Sequence, residues 1–458
     1  MGAGTPAEAL ERATDALLRF RPEVETILDE LVEEAPDWAP GLLARAWLGV
    51  LTSEPGPTRA SRALVADLAP DALDARERAH RAAVLAWSEG RLRTAQAILD
   101  DWLVEEPGDL WALFAGHQLD FFLGDQVSLR DRLARSLPWV APDDDARGFV
   151  RGMFAFGLEE AGTYDRAEAE GLAALDAHPD DVWALHAVVH AHEMRARVDE
   201  GLRLMERFGP YWEEGNAFRV HNFWHKGLYL LELGRDEDAL DVYDRVIHPA
   251  DSPLVALELL DASALLWRLY LDGRPETERF RALAEAWTRW QAEPFYCFNE
   301  VHAVMALVGA GRLDDARALV ADLEQLASSN EPELTTARMA REVGVPVARA
   351  LVAVGEGAWE EALSALWPIR TTLARFGGSH AQRDAFVRTA LVAALRAGEL
   401  GAARVLVAER LSLKEDSPWA WLARAQLAER EGDELSARTA RQRAGELRAR
   451  WAERLDRA

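Results

Sequence analysis

Turns punctuate this chain at recurring intervals, and helix-forming residues fill the stretches between them. No run of alternating β-branched residues bounded by turns occurs, so no strand is predicted. Ala, Leu, Arg and Glu dominate, all good helix formers. One segment reads Trp87-Ser88-Glu89-Gly90-Arg91-Leu92-Arg93-Thr94-Ala95-Gln96-Ala97-Ile98 and then reaches Glu106-Pro107-Gly108-Asp109. A second reads Ala161-Gly162-Thr163-Tyr164-Asp165-Arg166-Ala167 and then reaches His178-Pro179-Asp180-Asp181. Each contains a short turn, a small residue early in a second helix, and a Pro opening the next unit. Two antiparallel helices that touch at the small residue need that pattern, and it defines a helical hairpin of tetratricopeptide type.

The small residue recurs at Gly201, Ala239, Ala316, Ala362, Ala403 and Ala437. Successive intervals from Ala95 are 72, 34, 38, 77, 46, 41 and 34 residues. A period of about 34 is the tetratricopeptide spacing, so the two long intervals predict degenerate repeats near 130 and 280. The expectation is an all-α, right-handed superhelical solenoid over 1–458. Residues 1–60 would be degenerate N-terminal capping helices, 61–440 the repeat array, and 441–458 a C-terminal capping helix. The least repeat-like loops, Pro138–Asp145 and Ser328–Glu342, do not read as domain boundaries. The 17 tryptophans, such as Trp111, Trp183 and Trp419 at the heads of first helices, read mainly as interhelix packing.

Three stretches depart from repeat consensus. They are His186-Ala187-Val188-Val189-His190-Ala191-His192-Glu193-Met194, then His221-Asn222-Phe223-Trp224-His225-Lys226-Gly227-Leu228-Tyr229, then Gly377-Gly378-Ser379-His380-Ala381-Gln382-Arg383-Asp384-Ala385-Phe386. In these the chain resembles the tetratricopeptide repeat protein 38 family. Weaker agreement comes from His117-Gln118-Leu119-Asp120 with Phe122, from Asp261-Ala262-Ser263 and from Asn299-Glu300-Val301-His302. The resemblance spans roughly 30 to 430. Gln118 and Glu300 depart from it, since the family more often has an acidic residue at the first position and Asp at the second. What the resemblance implies is the fold.

Charge and cysteine usage narrow the partners. With 52 basic and 78 acidic residues the formal net charge is −26. Such a field repels phosphate backbones and anionic lipid, so neither nucleic acid nor a membrane surface is expected. Cys297 is the sole cysteine, which leaves no intrachain disulfide and no thiolate cluster. The first residues, Met1 to Pro6, lack a basic region followed by an apolar run, and no apolar stretch reaches the roughly 18 residues of a membrane span. The expected location is the cytoplasm.

The histidines carry the candidate chemistry. His186/His190 and His221/His225 are both i,i+4 pairs, so each pair shares a helix face. They begin 35 residues apart, close to one repeat. His186 lies 15 residues before Gly201, His225 lies 14 before Ala239, and His302 lies 14 before Ala316. First helices line the inner wall of such a superhelix, so His186, His190, His221, His225 and His302 are expected to face one groove. Glu193 and Glu300 would join them, with His117, Asn222 and Trp224 as further binding residues. Two chemistries compete. Three imidazoles of the set His186, His190, His221 and His225 with a carboxylate and an open position would suit Zn²⁺ or Fe²⁺. Without metal, His190, His225 or His302, oriented by Asp120, Asp261 or Glu300 and with Glu193 beside them, could act as general acid or base.

Several classes are excluded by missing motifs. The His-x-x-x-His pairs lack the Glu that follows the first His of a zinc-protease helix. No Gly-x-Ser-x-Gly elbow and no Gly-rich phosphate loop occurs. Gly377–Asp384 is expected to border the groove, with Ser379 capping a helix and Arg383 reaching inward to a carboxylate or phosphate. Two functions stay open: a small-molecule enzyme or binder using the His/Asp/Glu cluster, and an interaction scaffold for a peptide or protein. Peptide grooves usually offer Lys and Arg clamps, and Lys226 and Lys414 are the only lysines.

Overall fold

A computed structural model describes residues 4–141, 144–290 and 293–457. Met1 to Ala3, and two residues of the loop Pro138–Asp145, lie outside the described residues. Among the described residues there are twenty-five α-helices and no strand. Consecutive helices pack in pairs, and the pairs stack into a tetratricopeptide-type helical solenoid.

The small anchors explain the pairing. Ala95, Ala167, Gly201, Ala239, Ala316, Ala362, Ala403 and Ala437 are all buried. Each is the fourth residue of its helix, the helices opening at Leu92, Tyr164, Val198, Asp236, Leu313, Trp359, Leu400 and Glu434. In the two long intervals the same fourth position is taken by Leu129 in Gln126–Ser136 and by Phe280 in Thr277–Trp290. A larger residue there makes those repeats look degenerate while the helices still form. The turn before each second helix needs a left-handed residue. Gly90 supplies it at φ 75°, and in the hairpin carrying His186 and His190 it is Ala196 at φ 52°, a conformation that costs an alanine about 1–2 kcal/mol.

The solenoid coils upon itself, so its inner wall is an interior. Ala217 donates its N–H to the Phe20 carbonyl, Ala256 to Glu54, Thr336 to the Gly90 carbonyl, and His380 to Glu160. Partners in this series stand 197 to 246 residues apart, the length of chain in one superhelical turn. First helices that would face an open groove in a shorter array are covered by the next turn.

The expected internal boundaries fall inside continuous helices. Pro55–Ala66 runs through 60/61 and Glu434–Asp456 runs through 440/441. The latter is the second helix of the last hairpin, 23 residues long, and not a separate cap. Ser328–Glu342 contains its own short helix, Thr335–Met339. No helix among the described residues is long and apolar enough to cross a membrane.

Candidate functional site

Three neighbouring first helices supply the site. Val182–Met194 begins at Asp181, whose carboxylate accepts the Ala184 N–H at 2.9 Å, a cap that satisfies an otherwise orphaned donor. All of this helix's residues are buried, as befits a helix packed on every side, yet it carries His186, His190, His192 and Glu193. Arg219–Leu233 carries His221 and His225, and Ala256–Leu271 carries Asp261.

The four imidazoles converge. His186, His190, His221 and His225 each offer a ring nitrogen, and these atoms all lie within 4.8 Å of one another. His186 Nε2 and His221 Nε2 are 3.2 Å apart. Ring centroids of His186 and His190, and of His190 and His225, are separated by 4.3 Å. Carboxylates stand behind three of the rings. His221 Nδ1 lies 2.7 Å from Asp261 Oδ2, His225 Nδ1 lies 3.2 Å from Glu193 Oε2, and His190 Nδ1 lies 3.6 Å from Glu159 Oε2. The first two are hydrogen bonds; the third is too long to be one. Phe156, Trp183, Phe218 and Trp224 wall the cluster with aromatic faces and edges.

Burial sets the electrostatics. Loss of solvent, reinforced by neighbouring imidazoles, holds His186 and His190 well below the ordinary histidine range. Burial lowers His225 to about 4 despite its bond to Glu193. These rings are therefore neutral at pH 7 and keep a lone pair each. Burial pushes Asp261 up, against His221 and Gln382. Burial would also raise Glu193, but the Lys414 ammonium at 3.1 Å and the His225 hydrogen bond more than offset it and hold this carboxyl low. Glu159 is pushed well up by burial and by its neighbours Glu160 and Glu193.

A cavity of about 830 Å³ opens onto this cluster, and His186 and His221 form part of its wall. That volume lies within the range of small-molecule pockets, roughly 300–1,000 Å³. Most of the wall is apolar, including Phe20, Phe114, Phe122 and Leu260, while Gln118, Asn299, Ser379 and Gln382 supply polar groups. Residues between 17 and 60, expected only to cap the array, form a large part of one side, with Ser61 and Leu64 beside them. Phe20 stacks on Trp183 at 5.3 Å and 7°, and both rings belong to the wall.

Several expected site residues lie elsewhere. His302 shares the repeat register but not the cluster: its Nδ1 donates to the Phe298 carbonyl at 2.7 Å and its ring packs against Phe298 and Phe386. Glu300 orients no histidine; it accepts the Phe295 N–H at 3.2 Å, and burial raises it to about 8. Asp120 is bound by Arg132 at 2.8 Å and by Gln96 at 2.7 Å, so of the three carboxylates expected to orient a ring only Asp261 does so. His117 accepts the Trp183 indole N–H at 3.1 Å, one layer behind the cluster. Trp224 stacks on His221. Asn222 is buried beside it, with both amide atoms unpartnered among the described residues.

The Gly377–Asp384 segment divides between two sites. Ser379 and Gln382 form a reciprocal helix cap and line the large cavity. Gly377 at φ 88° lets the backbone pass Phe122, whose carbonyl lies 2.5 Å from where a Cβ would sit. Arg383 does not enter the large cavity. It binds Glu160 at 3.1 Å and the Gly378 carbonyl, and it lines a second cavity of about 340 Å³ together with His380, Arg410 and Lys414. Asp384, next in the chain, is held by Arg388 and Arg410.

Two participants were missed in the sequence. Glu159 lies eight residues before Ala167, as Glu193 lies eight before Gly201, so repeat register did signal it. Lys414 comes from the next superhelical turn, and only the rarity of lysine marked it.

No protein-family model matches the chain. Among solved structures the chain is similar to a human IFIT1 dimer with m7Gppp-AAAA, at 12% identity and a TM-score of 0.38, covering 98% of this chain and 91% of that one. It is similar to a human IFIT1 dimer with PPP-AAAA at 12% identity and 0.35, covering 97% and 87%. A monomeric IFIT1 mutant with Gppp-AAAA gives 12% identity and 0.40, covering 96% and 95%. Those structures hold m7Gppp-AAAA, PPP-AAAA and Gppp-AAAA, against the expectation of no nucleic-acid partner, which is corrected: it was drawn from net charge alone, and a charge summed over a whole chain does not describe local fields.

Proposed function

We propose that this helical-repeat protein binds a small, largely apolar molecule in its internal cavity and presents the His186–His221 pair to that molecule's polar end as an acid–base group. The observation that carries the reading is the placement of that pair, backed by Asp261 at 2.7 Å, at the wall of an 830 Å³ cavity. A buried imidazole held by a carboxylate has a fixed tautomer and orientation, the condition for proton transfer to a bound group. We also infer membership of the tetratricopeptide repeat protein 38 family. In support, the three stretches that carry the resemblance supply His186, His221, Ser379 and Gln382, all on the cavity wall. The peptide-scaffold alternative has less support, because the inner wall that such arrays offer to peptides is covered by the next turn.

The test is native mass spectrometry of the full-length protein with identification of any co-purifying small molecule, repeated on Leu257→Trp. Leu257 is 37% exposed and lines the cavity, so the indole blocks its mouth with little cost to the core. A small molecule retained by the wild type and lost from Leu257→Trp supports the reading. A wild type that retains none, takes none up from a metabolite extract, and binds a 5′-triphosphate oligoadenylate equally well with and without the substitution sinks it.

A further inference from the structure

His221 and His225 both direct Nδ1 to a carboxylate, Asp261 and Glu193, which leaves a lone pair on each Nε2. The His225 Nε2 and both His190 nitrogens are buried with no hydrogen-bond partner among the described residues. Glu159, completely buried, has neither oxygen partnered and faces His190 Nδ1. Unpaired groups of this kind are costly inside a protein, and here they gather around one point.

We propose that His186, His190, His221 and His225 hold one divalent first-row metal ion, Zn²⁺ or Fe²⁺, with Asp261 and Glu193 orienting His221 and His225 from behind and Glu159 placed to take the His190 N–H once that ring turns to the ion. The donor set fits. Imidazole suits both ions, and a metal-bound histidine characteristically gives its other ring N–H to a carboxylate. Tetrahedral bonds of about 2.0–2.1 Å place ligand nitrogens about 3.4 Å apart. His186 and His221 already stand at 3.2 Å, and all four donors lie within 4.8 Å, so small ring rotations complete the set. The ion sits at the inner end of the cavity, since His186 and His221 belong to its wall. The inference shares those two residues with the proposed cavity function: an ion held through their Nε2 atoms takes the lone pairs that acid–base chemistry would use, so with the ion bound the pair anchors it and transfers no proton.

Metal content of the full-length protein as purified, and after chelation followed by addition of Zn²⁺ alone or Fe²⁺ alone under anaerobic conditions, tests the proposal. One equivalent per chain is expected, and which ion binds separates the two sources. His190→Ala combined with His225→Ala should abolish binding. Because that pair empties part of the core, Glu159→Gln serves as the conservative variant. It should weaken the ion by about 10- to 100-fold with unchanged helical circular dichroism, and Co²⁺ added in its place should give the intense visible bands of a tetrahedral site in the wild type. Failure of the wild type to bind either ion stoichiometrically, or affinity unchanged by Glu159→Gln and by the double substitution, overturns the proposal. Leu257→Trp should lose the cavity ligand and keep the ion, so the two readings fail separately.

Discussion

Replacing Gly201 by alanine sets helix propensity against packing, and the two predict opposite signs. In a helix interior alanine is favoured over glycine by roughly 0.5–1 kcal/mol. At Gly201, however, an added Cβ would stand 2.3 Å from the Tyr229 hydroxyl and Cζ atoms and 2.6 Å from Cε2. Tyr229 is fully buried on the helix of His221 and His225, and its hydroxyl donates to the Val189 carbonyl, on the helix of His186 and His190, at 2.6 Å. The ring cannot yield without parting those two helices. Overpacking of this kind costs about 1–3 kcal/mol, and loss of the hydrogen bond adds about 1. After the propensity gain, Gly201→Ala should destabilise by about 1–3 kcal/mol. Gly445→Ala is the control: it lies inside Glu434–Asp456 with nothing within 4 Å of the new Cβ, so it should stabilise by about 0.5–1 kcal/mol. Urea unfolding gives the overall change. Hydrogen exchange on Val182–Met194 and Arg219–Leu233 localises it, which matters because long repeat arrays need not unfold in one step. A Gly201→Ala protein as stable as the wild type, with unchanged exchange in both helices, would refute the packing argument.

Three further perturbations separate structural from functional polar residues. Glu300 has a folded-state value of about 8 against an ordinary 4.5, so the native protein holds an extra proton between those values and stability falls as pH rises, by about 1.4 kcal/mol per unit. Glu300→Gln removes that slope: its stability relative to wild type should climb between about pH 5 and 7.5, and parallel pH curves would contradict the assignment. Asp120→Ala leaves the buried Arg132 with the half-exposed Asp100 at 2.9 Å and should cost about 3 kcal/mol or more in urea unfolding; a loss below about 1 would show the pair to be dispensable. Ser379→Ala breaks the cap of His380–Ala397, with an expected cost of about 1 kcal/mol, and retention of full stability would remove that role.

Local periodicity made the helices legible, and superhelical geometry hid part of the site. The eight anchors, read as small residues after turns, all mark the fourth position of a second helix, because close approach of paired helices is a local requirement written once per repeat. The meeting of His186, His190, His221 and His225 was legible for the same reason: adjacent hairpins put equal repeat positions side by side. Asp261 extends that rule, lying 19 residues before Phe280 as His221 lies 18 before Ala239. His302 shows where the rule stops. Two hairpins beyond His225, the same register points into a different part of the coil, and Phe298 and Phe386 receive the ring. Arg383 and Lys414 meet Glu160 and Glu193 across 223 and 221 residues. Those pairings depend on the pitch of the coil, which sums small rotations over six or seven hairpins and appears in no single repeat. The same closure turns an expected open groove into a cavity, which supports the proposed small-molecule reading over peptide recognition.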